Sequence, residues 1–265
     1  MNKSGLIVNN LLFSVVNINP GYFPMNFGLF WEPGAYQTFI NLALFFQMFI
    51  LRELKYKYIL VYLLTVFTTF STTGYLGAAI ILIAFFFSNR MILDNRKKIL
   101  AIILTGLVLS FIISYNYLPD IIKFKVFGKL EAILNSDLAI ENSSYTSTTI
   151  RTDSIKYPLF MAFENPFFGV GFSNLYQNAL DIGFKMVTAT PVNWLALFGI
   201  PLGLLLNMCV YQWTKLVKGG VFFKILIFIF LLIIVISENY NRDIFYLMFL
   251  LYSFDIKSIN KISSS

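Results

Sequence analysis

The sequence predicts an all-α polytopic membrane protein with about six or seven transmembrane helices and one large extracytoplasmic loop. Three observations lead there. Of the 265 residues, 58% are hydrophobic and only 12% charged, against about 25% charged in a soluble domain. Long apolar runs recur along the chain, continuous rather than alternating, which favours helices over barrel strands. Lys and Arg gather between alternate runs, the pattern of cytoplasmic loops.

Taken in order, residues 1–34 form an N-terminal outward segment. Its short apolar run, 6–16, cannot span alone and reads as half of a buried or re-entrant helix. The paired Asn9 and Asn10 and the lack of a small-residue cleavage site leave it short of a signal peptide. Residues 35–115 hold the first four spans, at 35–51, 58–70, 74–88 and 99–115. Only Ser71-Thr72-Thr73 separates the second from the third. Residues 116–190 are the large outward loop. The C-terminal spans follow at 191–213, 221–236 and the shorter 244–254, and residues 255–265 are a cytoplasmic tail.

Orientation rests on the basic clusters. Arg52, Lys55 and Lys57 sit between the first two spans, Arg90, Arg96, Lys97 and Lys98 between the third and fourth. Lys215 and Lys218 follow the fifth, and Lys257 and Lys261 lie in the tail. With all of these inside, the 71–73 turn, the 116–190 loop and the 237–243 loop face outward. The net charge of +7 is thereby accounted for by topology, and no nucleic-acid partner is expected.

The large loop has its own pattern. Residues 141–149 are a polar, Ser/Thr-rich run that reads as flexible. Residues 151–163 read as a short amphipathic helix interrupted near Pro158. Asn165-Pro166 stops it, and Gly169-Val170-Gly171 makes a turn.

Several chemistries are disfavoured by residue type. The chain has no His, which removes the commonest general base and metal ligand. Carboxylates do not cluster, so neither a metal nor another cofactor is expected. The single cysteine, Cys209, cannot form an intramolecular disulfide and reads as helix packing. Charges within the spans are scarce, which argues against an ion-coupled transporter.

The remaining candidates each carry two readings. Glu32, before Pro33 at the mouth of the first span, is a helix-start signal or a surface carboxylate able to take a proton from a hydroxyl. Arg151 is a headgroup-binding cation or a fork for phosphate oxygens, and Lys156 is weighed alike. Arg242, in the other outward loop, is an interfacial anchor or a second such cation. Gly169 and Gly171 are plain turn glycines or a cradle of backbone N–H groups for a phosphate. The hydroxyls of Thr65, Thr68, Thr69, Ser71, Thr72 and Thr73 serve helix packing or a polar site.

Three segments carry a family resemblance. Phe27-Gly28-Leu29-Phe30-Trp31-Glu32-Pro33-Gly34 resembles the G-x-F-x-E-P segment of bacterial O-antigen and capsular polysaccharide polymerases. Residues 68–74, TTFSTTG, resemble their T-x-S-x-x-G segment. Arg151, followed by Glu164-Asn165-Pro166-Phe167-Phe168-Gly169-Val170-Gly171, resembles the R…N-P-x-x-G-x-G block of the O-antigen ligase and polymerase superfamily. Residues 193–203 resemble the start of the next family span, so the likeness runs from about 28 to 254.

The resemblance implies a membrane glycosyltransferase of the C-type class in the cytoplasmic (inner) membrane. It implies transfer of a growing glycan from undecaprenyl pyrophosphate to a sugar hydroxyl on another lipid-linked repeat, building O-antigen, capsule or exopolysaccharide on the outer face without a metal. Arg151 matches the arginine thought to hold the pyrophosphate, and Arg242 matches by loop only. Lys156, Asn165, Gly169, Gly171 and Asn193 join them as substrate-binding candidates, and Glu32 is the candidate base. Implied partners are the undecaprenyl-pyrophosphate-linked saccharide, membrane lipid, a chain-length regulator and a repeat-unit flippase.

Two departures matter. Ligases of the superfamily carry His before the late span, where this chain has Val192-Asn193. That favours a polymerase over ligase-type transfer to an acceptor, or over a lipid-linked sugar transporter. Family members also carry further N-terminal spans, so the chain is expected to be a short variant or part of a longer protein.

Overall fold

Helices form where the apolar runs fall. The computed structural model describes residues 8–11, 14–17, 25–30, 32–51, 53–86, 144–181, 187–217, 219–236, 238–241 and 243–255. The expected span 99–115, the basic cluster at 90–98 and the tail beyond 255 lie outside them. The chain divides into two units, Met1–Leu134 with Lys218–Ile227, and Asn135–Val217 with Phe228–Ser265.

The first unit opens with an antiparallel hairpin, β1 (Val8–Leu11) and β2 (Ser14–Asn17). Val8 pairs with Asn17 and Leu11 with Ser14. The described residues of the 6–16 run, 8–11 and 14–16, are thus strand rather than half a helix, as β-branched Val8, Val15 and Val16 favour. Helix α1 (Pro33–Phe45) begins with proline at its first position, where the missing N–H is no loss, and runs on into a π-helical turn, Phe46–Ile50. Helices α2 (Tyr56–Thr68) and α3 (Thr72–Phe86) follow, both packed on α1.

In the second unit, α4 (Ser144–Glu164) leads through a turn to α5 (Gly171–Asp181). The Ser/Thr residues 144–149, expected to be flexible, are the first turns of α4, which continues through Pro158. Then come α6 (Thr190–Phe198), α7 (Ile200–Gln212) and a 3₁₀ turn, Trp213–Leu216. Helix α8 (Val221–Ile236) begins in the first unit and ends in the second, and α9 (Ile244–Tyr252) closes the described chain with a 3₁₀ turn, Ser253–Asp255.

The expected span 191–213 is therefore not one helix. Gly199, at φ +82, breaks it, and Ile200 starts α7 with Pro201 in its first turn. A Cβ on Gly203 would stand 2.7 Å from the Leu195 Cα. That glycine lets α7 lie close against α6.

Among the described residues, no helix is long and apolar enough to cross a membrane. Among the described residues the strongly apolar helix α8, with one lysine (Lys224), has 16 residues, about 24 Å of rise against about 30 Å of hydrocarbon. In the first unit, several polar side chains are nonetheless buried while apolar ones are exposed. Helix α1 buries Gln37, Thr38 and Asn41 and the π-helical turn after it Gln47, while α2 exposes Leu60, Val61, Leu64 and Phe67.

Candidate functional site

In the first unit the two motif segments meet. The Asn26 N–H donates to the Thr68 carbonyl (3.0 Å), and the Asn26 amide donates to the Thr68 hydroxyl (3.0 Å). Asn26 Oδ1 in turn accepts from the Gly28 N–H (3.1 Å). Gly28 has φ +54, and a Cβ there would lie 2.8 Å from the Tyr36 ring. The positive φ favours glycine here.

Glu32 sits at the N-cap of α1 in extended conformation and is half-buried. Its carbonyl accepts from the Tyr36 N–H (3.2 Å), but its carboxylate does not cap the helix. The second motif turns through Phe70, whose φ is +51. Its hydroxyls serve the backbone: Thr69 donates to the Val66 carbonyl (2.7 Å), and Ser71 accepts from the Gly74 N–H (3.4 Å). Asn41 of α1 donates to the Gly74 carbonyl (3.3 Å), tying α1 to α3.

In the second unit, the Asn165–Gly171 turn interlocks with the α6–α7 corner. Gly169 N–H donates to the Asn165 carbonyl (3.0 Å), Val170 N–H to Ala196 (2.8 Å) and Ile200 N–H to Pro166 (2.7 Å). Gly169 has φ +68, and a Cβ there would stand 2.5 Å from the Ala196 carbonyl and the Gly199 nitrogen. A Cβ on Gly199 would strike the Phe167 backbone. Two of the N–H groups considered for a phosphate cradle are thus already engaged. Gly171, at φ +74, differs: nothing lies within 4 Å of its Cβ position.

Beneath the turn, Met161 and Ala162 of α4, Leu175 of α5, and Ala196 and Leu197 of α6 form a buried apolar cluster. Tyr157 packs against it and donates to the Leu175 carbonyl (3.5 Å). Burial, with smaller contributions from Asp181 and Glu164, pushes its phenol pKa up, so it stays a donor. Lys156 and Asn165 are exposed on α4 and at its end.

Asn193 is fully buried on α6, and its amide donates to the Val187 and Thr188 carbonyls. The same segment is stitched to the 238–241 loop. Ala189 N–H donates to Ile236 (3.0 Å) and Thr190 N–H to Glu238 (3.3 Å). The Thr190 hydroxyl donates to the Glu238 carbonyl (2.7 Å) and accepts from the Tyr240 N–H (2.7 Å). Asn239 and Asn241 both donate to the Tyr176 hydroxyl, at 2.6 and 3.1 Å. The two outward loops expected from the sequence therefore share one seam. Within it, Thr188 Oγ1, Asn193 Oδ1 and Asn241 Oδ1 are buried with no hydrogen-bond partner among the described residues.

Sequence reasoning missed Glu238. It is 5% exposed, and among the described residues it is the one buried carboxylate. A buried ionisable group in a polar seam is a functional-site candidate. Its only sequence signal was an acidic residue between two apolar runs.

Asn165, Gly169, Gly171 and Asn193 come together in one module, with Lys156 on its leading helix, whereas Glu32 belongs to the other unit. Arg151 is a residue of α4, but its side chain lies outside the described residues, as does the whole of Arg242. Among the described residues no three Cys, His or acidic side chains gather as a metal site.

The family model for O-antigen ligase matches residues 58–206. The chain belongs to the O-antigen ligase family. The match spans the 68–74 turn, Arg151, the Asn165–Gly171 block and Asn193, and stops short of Arg242; Glu32 precedes it. No curated protein and no solved structure gives a significant match. Members of this O-antigen ligase family are membrane proteins that process glycans. Membership brings a glycosyltransferase-like activity in general and lipid-linked saccharides as the substrate class.

Proposed function

We propose that this family member is a polysaccharide polymerase. In this reading it joins undecaprenyl-pyrophosphate-linked repeat units into O-antigen, capsule or exopolysaccharide on the outer face of the cytoplasmic membrane. The supporting observation is Asn193. Where ligases of the superfamily carry His, this chain has Val192-Asn193, and Asn193 is buried with its amide committed to two backbone carbonyls. Such a residue holds the seam and offers no base. The apolar faces exposed on α2 and the polar residues buried in α1 support a chain solvated by lipid.

The reaction has simple bookkeeping. The acceptor hydroxyl oxygen bonds to the anomeric carbon of the donor glycan, and the bond from that carbon to the pyrophosphate oxygen breaks. The hydroxyl proton passes to a carboxylate, for which Glu32 is the candidate. Arg151, aided by Lys156 and Arg242, neutralises charge gathering on the departing lipid pyrophosphate. Fixed cations are worth most there because the charge develops in the transition state. Asn165, Gly169, Gly171 and Asn193 shape the module that carries Arg151.

A cell lacking the gene provides the test. Loss of a polymerase leaves single repeats attached to the final acceptor. Finished polymer stranded on its lipid carrier would instead indicate a ligase, and lipid-linked repeats trapped inside would indicate a transporter. Arg151→Ala in the intact protein should abolish long polymer while leaving the protein inserted; unchanged chain lengths would remove Arg151 from the mechanism. A repeat-unit flippase and a chain-length regulator are the partners this role requires.

A further inference from the structure

The 116–190 stretch reads from sequence as the large outward loop, yet its described residues display an exposed aromatic stripe. Helix α4 turns Ser154, Pro158, Met161 and Ala162 inward. The opposite face presents Lys156, Phe160 and Phe163, spaced four and three residues apart and so on one side of the helix. Phe160 is 60% exposed and Phe163 is 67% exposed. The stripe continues into the turn, where Phe167 is 73% exposed and Phe168 92%. Contiguous apolar patches of this kind mark a partner or a membrane.

The position of the turn identifies the occupant. Its backbone is bonded to the first residue of α7, Ile200 N–H to Pro166 carbonyl at 2.7 Å. Helix α7 goes on to expose Leu202, Leu204, Leu205 and Met208. The aromatic turn is therefore continuous with the outward-facing apolar side of α7 at that helix's starting end. Lys156 stands one helical turn before Phe160, on the same side. An apolar stripe led by a cation matches acyl chains bordered by anionic headgroups.

We propose that Phe160, Phe163, Phe167 and Phe168 are seated in the phospholipid bilayer at the boundary between headgroups and acyl chains, with Lys156 reaching the headgroups. The end of α4 and the Asn165–Gly171 turn thus ride on the membrane surface instead of standing in water. The inference needs only the membrane character of the family; it holds for a polymerase, a ligase or a transporter alike. It gives helix α4 a fixed depth at the membrane surface.

Fluorescence in vesicles tests it without any glycan transfer. Cys209 is buried, so Cys209→Ser supplies a thiol-free background. Phe163→Cys, Phe168→Cys and, as a water-facing control, Asp181→Cys at the exposed end of α5 would each carry an environment-sensitive label. The full chain is reconstituted in phosphatidylethanolamine and phosphatidylglycerol vesicles containing no polyprenyl lipid. A lipid with a shallow nitroxide should quench positions 163 and 168 at least twofold more than 181, and iodide in the buffer should show the reverse order. Circular dichroism checks that each labelled protein is folded. Positions 163 and 168 quenched no more by the lipid than 181 would overturn the proposal. Shielding from both quenchers, with crosslinking between copies through these cysteines, would also overturn it and assign the stripe to a second copy of the chain.

Discussion

Replacing Gly169 by alanine would expose how the Asn165–Gly171 turn is held. Two penalties arise. Gly169 has φ +68, and a Cβ in that left-handed region costs about 1–2 kcal/mol. The Cβ would also stand 2.5 Å from the Ala196 carbonyl and the Gly199 nitrogen. Both are backbone atoms that cannot rotate aside, so the turn must lift from the α6–α7 corner. Lifting strains the bonds from Val170 to Ala196 (2.8 Å) and from Ile200 to Pro166 (2.7 Å), each worth about 0.5–1.5 kcal/mol. The total is about 2–5 kcal/mol. Gly171→Ala is the internal control, because Gly171 has φ +74 and open space at its Cβ. It should lose only the backbone part, about 1–2 kcal/mol. Thermal unfolding in detergent, followed through the buried Trp194 and Trp213, reads both variants. At about 2–4 °C per kcal/mol for a chain of this size, Gly169→Ala should melt about 2–12 °C below Gly171→Ala. Equal midpoints for the two would refute the interlock.

Other expectations follow from the same geometry. Thr190→Val removes the acceptor of the Tyr240 N–H and the donor to the Glu238 carbonyl; a loss of about 1–3 kcal/mol should speed hydrogen exchange at Tyr240 roughly tenfold, and Thr190→Ser should restore protection. In Gly74→Ala the new Cβ meets the Gln37 Cβ at 2.9 Å, an overpacking of about 1–3 kcal/mol that should lower the unfolding midpoint. Trp213→Phe keeps the stack on Phe249 (4.7 Å) but loses the indole bond to the Phe249 carbonyl (3.0 Å); circular dichroism should show a loss of about 1 kcal/mol. Glu238→Gln keeps size and removes charge; polymer yield measured in cells should drop about tenfold with the midpoint held within about 2 °C, and full-length polymer would assign Glu238 a structural role only.

Hydrophobic runs located the helices well because burial and lipid contact both select apolar side chains. The run 58–70 became Tyr56–Thr68, 74–88 became Thr72–Phe86, and 221–236 is a helix end to end. The same measure hid the break at Gly199, since hydropathy reports side chains and the break lies in φ. The Ser/Thr residues 144–149 read as flexible because their propensity is weak, yet they continue a helix anchored farther along by Met161 and Ala162. Of the candidate residues, Asn165, Gly169 and Gly171 form the turn that their sequence predicted, and that turn bonds to Ala196 on the helix that carries Asn193. Glu238 was invisible because burial is a tertiary property: its backbone joins a segment 48 residues away, through Thr190. Gly169 was visible, but its role as a point of backbone approach to Ala196 required the partner helix.

The interlocked turn separates framework from tip. The hydrogen bonds that fix its path are main chain, between the carbonyls of Asn165, Pro166 and Ala196 and the N–H groups of Gly169, Val170 and Ile200, with the Val170 side chain packed on the cluster beneath. The side chains of Phe167 and Phe168 take no part in that scaffold and point away from it. Chemical change at these two positions is therefore nearly decoupled from folding. Drift in greasiness there can retune how the loop meets its surroundings, in nature or in a randomised library, while the corner underneath keeps its shape.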